Sequence, residues 1–137
     1  MLIDVNIWAV LAAALSNVII SFLWYHPKAF GTIWMRVTGV SPEEAESGAK
    51  KMPIMALVAF VASFVMAWVL AHFAFVWGAL TVGSALELGF WVWLGFMMPI
   101  LLSPILWEGK HTKYLAINAG YWLVAVLVAS VIITLWI

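Results

Sequence analysis

The chain has 137 residues, 67% hydrophobic and 9% charged, with zero formal net charge and no Cys. A soluble domain carries about a quarter of its residues as charged groups, so this composition excludes a water-covered globule. The balanced charge offers nothing to nucleic acid, and the absence of thiols excludes disulfides, thiolate metal sites and thiol catalysis.

Lipid is the remaining solvent. There the backbone must satisfy its own hydrogen bonds, and long unbroken apolar runs select helices over the alternating strands of a barrel. The expected fold is all-α, a single transmembrane domain over residues 1–137. A span needs about 20 apolar residues, which predicts four spans at about 5–25, 53–77, 84–106 and 114–137. The N-terminal stretch carries Asp4 and neither Lys nor Arg, so it does not read as a cleavable secretory leader.

In chain order, the first span offers Ala9, Ala13, Asn17 and Ser21 at i+4 spacing. Small residues at this spacing let helices approach closely in lipid, and Asn17, near mid-membrane, must find a polar partner. The loop 26–52 follows. Phe30, Ile33, Trp34 and Val37 form a helical apolar stripe, with Lys28 and Arg36 largely off it. This predicts a short helix lying in the interface, ended by Gly39. Ser41-Pro42-Glu43-Glu44 is a capping-box pattern, and predicts a second short helix in which Glu46 stands one turn before Lys50.

The second span begins near Pro53 and carries the row Ala59, Ser63, Ala67 and Ala71. The short turn 78–83 predicts that spans two and three lie antiparallel and close. Span three has the row Gly83, Glu87, Trp91, Gly95, Pro99 and Ser103, with kinks expected at Pro99 and Pro104. Span four pairs Ala116 with Gly120, on either side of Asn118, and Ala125 with Ala129.

All six Lys and Arg residues lie in the first and third loops, and none at the termini or the central turn. The positive-inside rule then predicts both termini periplasmic in a bacterial inner membrane. Trp8, Trp77 and Trp136 are expected at the outer interface, and Trp24, Tyr25, Trp34, Trp107 and Tyr114 at the inner one. Trp68, Trp91, Trp93 and Trp122 lie deeper.

Glu87 is the sharpest candidate for chemistry, because a carboxyl inside a span is costly. It reads either as a first-turn residue favoured by the helix dipole or as a ligand or proton site with His72, Trp91 and Trp93. His26 and His111, with Glu108, suggest a metal or haem site only loosely, since no ligand spacing supports one. No phosphate loop, nucleophile elbow or metalloprotease helix is present.

Leu23-Trp24-Tyr25-His26-Pro27, Phe30-Gly31, Trp34-Met35 and Gly39 resemble the first-loop signature of small bacterial membrane proteins grouped as domain of unknown function 1761. Trp93-Leu94-Gly95-Phe96 and Ile117-Asn118-Ala119-Gly120-Tyr121 are similar to that family too. The resemblance covers nearly the whole chain. It implies a four-helix membrane fold and transfers no activity.

The leading expectation is a non-catalytic structural or binding subunit without cofactor or metal. It would self-associate or dock in a larger membrane complex through the small-residue rows of spans one and two. The alternative is an oligomeric transporter or channel for a lipophilic or cationic solute, using Glu87.

Overall fold

A computed structural model describes residues 3–136, and every described element is helical. The expected end of the last span at Ile137 lies outside the described residues.

Helix α1 (Ile7–Trp24) is capped by Asn6, whose side chain accepts from the Trp8 and Ala9 amides at 3.0 and 3.4 Å. The chain then makes a π-helical turn over Pro27–Gly31, kinked at Ala29. Two short helices follow, α2 (Thr32–Thr38) and α3 (Pro42–Lys50). Gly39 ends α2 at φ 72°, a left-handed conformation that glycine adopts without steric cost. Ser41 caps α3 by accepting from the Glu44 amide at 3.1 Å.

Helix α4 (Met52–Trp77) ends at Gly78, again at φ 72°. The third span is built in pieces: α5 (Val82–Val92), a π-helical turn over Trp93–Met97, α6 (Met98–Leu101) and α7 (Ser103–Trp107). Proline explains the breaks. Pro99 has no amide hydrogen to offer the carbonyl of Gly95, and its ring crowds that carbonyl. The helix widens one turn earlier, where the Met98 amide bonds Trp93 O. Pro104 repeats the interruption. Helix α8 (Thr112–Leu135) is continuous.

Four helical stretches are long and apolar enough to cross a membrane: Ile7–Trp24, Met52–Trp77, Val82–Trp107 and Thr112–Leu135. Helix α8 is the hub, with α1 and α5 both packing on it, while α1 also packs on α4. The core is Ala-rich, and its largest completely buried side chains are Val10, Val126 and Ser130.

Two expectations need correction. The short turn after Gly78 does not make α4 and α5 close neighbours along their length, since they scarcely pack. Instead α5 packs on α8, and closely: a Cβ at Gly89 would come within 3.0 Å of side-chain atoms of both Leu127 and Ser130, which would have to give way for any larger residue. Second, the small-residue rows are not free for docking. Ala9, Ala13 and Asn17 on α1, and Ser63, Ala67 and Ala71 on α4, are buried where those helices meet. Ser21 is half-buried and bonds Val18 O of its own helix. Ala59 and Ala116 fall outside the buried faces and are exposed.

Candidate functional site

Glu87, His72, Trp91 and Trp93 do not gather into one site. Glu87 is exposed, whereas Ala85, Leu88 and Gly89 are buried. At about 100° per residue, those three centre a face roughly 150° around α5 from Glu87. The acidic side chain therefore points away from the bundle. His72 is engaged by its own helix: Nδ1 lies 2.8 Å from Trp68 O, and the two rings are 4.2 Å apart. Trp91 is half exposed, while Trp93 turns inward and its indole N–H donates to Ala119 O at 2.9 Å. Any solute route past Glu87 would have to lie outside this bundle.

The polar groups that do converge lie along α1 and α8. Asn17 is buried, its amide donates to Ser63 Oγ at 2.6 Å, and the Tyr121 hydroxyl donates to Asn17 Oδ1. One residue thus joins α1, α4 and α8. Nearer the basic loops, the Tyr25 hydroxyl donates to Asn118 Oδ1 at 2.5 Å and the Trp24 indole donates to Ile117 O at 3.0 Å. Gly120 makes the second contact possible, since a Cβ there would stand 3.0 Å from Trp24 Cζ2.

Aromatic rings extend this knot into the first loop. Tyr25 stacks edge-on against Tyr121 and Trp34 at 5.5 and 5.3 Å, Trp34 lies parallel to Tyr114 at 4.9 Å, and Phe30 rests on Trp24 at 4.7 Å. The apolar stripe expected to face lipid is therefore divided: Trp34 folds back onto the end of α8, while Ile33 remains exposed. Gly31 closes the turn against backbone, because a Cβ there would collide with Tyr25 O and lie 2.8 Å from His26 C.

His26 and His111 each use Nδ1 to accept a backbone amide, from Lys28 at 3.1 Å and Lys113 at 3.0 Å, so both act as helix-turn caps. Among the described residues, no group of three or more metal-ligating side chains comes together. Ser130 Oγ and Thr134 Oγ1 are buried with no hydrogen-bond partner among the described residues.

The knot has no base beside a nucleophile; chemically, what it supplies is interhelical hydrogen bonding. Sequence reasoning placed Tyr25, Trp24 and Tyr114 as interface markers and did not find Tyr121 as a partner of Asn17. One available signal was that the three family-like strings, around Trp24, Trp93 and Asn118, each carry aromatics whose polar atoms need partners in lipid.

No curated protein and no solved structure matches the chain. The family model described as protein of unknown function (DUF1761) matches residues 8–134. That span takes in all three strings that meet in the knot, and the chain belongs to this family.

Proposed function

We propose that the protein is a non-catalytic subunit of a bacterial inner-membrane assembly, with both termini periplasmic, which docks on a larger complex or on a second copy of itself. One observation carries the reading. The polar side chains within the spans serve mainly the chain's own helix contacts, while two spans leave broad apolar faces unclaimed. Within their most apolar stretches, only 22% of α4 and 17% of Val82–Trp107 is buried, against 44% for α8.

The α4 face includes Ala59 and Ala62, small residues left outside the chain's own packing. Such residues permit the close approach on which helix association in lipid depends. The six basic residues confined to two loops support the orientation.

The chain has no Cys, so Ala62→Cys gives a unique thiol for cross-linking in native membranes. One discrete adduct from α4, and none from Ala116→Cys on the exposed side of α8, is the expected result. A chain that gives no adduct from either position and runs as a monomer in mild detergent refutes the reading.

A further inference from the structure

Helix α4 and the third span are joined at the turn after Gly78 but scarcely pack, and an apolar cleft open to the bilayer runs between them. Its floor is Trp122 and Val126 of α8. Its sections share Phe96 and run together, from Trp77 and Trp91 at the end without Lys or Arg to Met66 and Leu101. Residues 66–77 of α4 rise roughly 16 Å, and residues 91–101 of the third span about 15 Å. The α4 wall is therefore about half of a hydrocarbon core of about 30 Å, while the wall from the third span continues past the middle of that span to Leu101.

The lining identifies the kind of occupant. A helix from a second copy would need small residues for close approach, and the cleft lining contains no Gly, Ala, Ser or Thr. An acyl chain does not need them, and flexible Met66 and Met97 can fill around one.

The rim adds charge. Glu87 is the one Asp, Glu, Lys or Arg between residues 52 and 107. It stands one turn before Trp91, which lines the cleft mouth with Trp77. An acidic group beside indole faces is complementary to an ammonium. We propose that this cleft holds an acyl chain of a phospholipid with a primary-ammonium headgroup, such as an ethanolamine lipid, the ammonium resting between Glu87 and the Trp91–Trp77 rim.

The test is native mass spectrometry of the full chain, delipidated and then offered equal amounts of ethanolamine and glycerol phospholipids with identical acyl chains. Wild type should retain the ethanolamine lipid with roughly two- to fivefold preference, the size expected of an exposed charge pair. Glu87→Gln should equalise the two lipids while the total bound stays constant. A second arm uses a lipid with a photoreactive group in its acyl chain. Adducts should map to the segments holding Met66 and Phe96, and Val92→Trp, which fills the cleft, should remove them.

Equal retention of the two lipids by wild type, a preference that survives Glu87→Gln, or adducts spread evenly around α4 would overturn the proposal. Lipid retention is separable from docking. A chain that is monomeric in detergent and silent in thiol cross-linking still shows the headgroup preference if the cleft holds lipid, and a docked chain without the preference defeats the lipid site alone.

Discussion

Asn17 is the residue on which the bundle's cohesion is most directly tested. It is 2% exposed and makes two interhelical hydrogen bonds, one to Ser63 on α4 and one from Tyr121 on α8. Interhelical hydrogen bonds in membranes average about 0.6 kcal/mol and reach about 1.7. Asn17→Ala, which removes both, should therefore cost roughly 1–3 kcal/mol. Tyr121→Phe removes only the hydroxyl and should cost about 0.6–1.7 kcal/mol.

The two residues share a bond, so their effects should not add. The double variant should cost little more than Asn17→Ala alone, leaving a coupling of about 0.6–1.7 kcal/mol. Ser63→Ala should couple to Asn17→Ala in the same way, yet add to Tyr121→Phe, because Ser63 and Tyr121 meet different atoms of Asn17. Reversible unfolding of the reconstituted protein, driven by denaturing detergent or steric trapping, reads these differences. Strict additivity of Asn17→Ala and Tyr121→Phe would refute the three-helix junction.

The core faces can be separated from the outer ones by a matched pair. Ala67→Leu, at a position 1% exposed between α1 and α4, should destabilise by about 1–3 kcal/mol through overpacking. Ala59→Leu, eight residues earlier and outside that interface, should stay within about 0.5 kcal/mol in the same unfolding assay. In the first loop, Gly31→Ala drives a Cβ into the backbone of Tyr25 and His26. It should cost about 2–3 kcal/mol and loosen Trp34 from Tyr114, read as a loss of protection from proteolysis. Gly48→Ala meets nothing within 4 Å inside α3 and should be neutral or stabilising by up to about 1 kcal/mol.

The elements whose causes are local can be read from the amino-acid sequence. Apolar runs long enough for a bilayer have no alternative to helix, so four spans were legible. The ends of the loop helices were legible because Ser41 caps through its own side chain and Gly39 permits the left-handed turn. The breaks in the third span were anticipated from Pro99 and Pro104, since a missing amide hydrogen is a property of the residue alone.

Which face meets which neighbour was decided only in three dimensions. Ala59 and Ala67 look equivalent in a row of small residues, yet α1 covers one and leaves the other bare. The sequence leaves Glu87 between an enclosed site and an interfacial first-turn position, with its place near the outer end favouring the latter; the close fit of Gly89 to Ser130 and Leu127 turns α5 so that Glu87 faces out. The partners of Asn17, Tyr25 and Trp24 lie 46 to 104 residues away along the chain. In lipid nearly every outward and inward residue is apolar, so hydrophobic periodicity cannot mark the buried face. Close packing and a few interhelical hydrogen bonds select the arrangement, and both exist only once the helices have met.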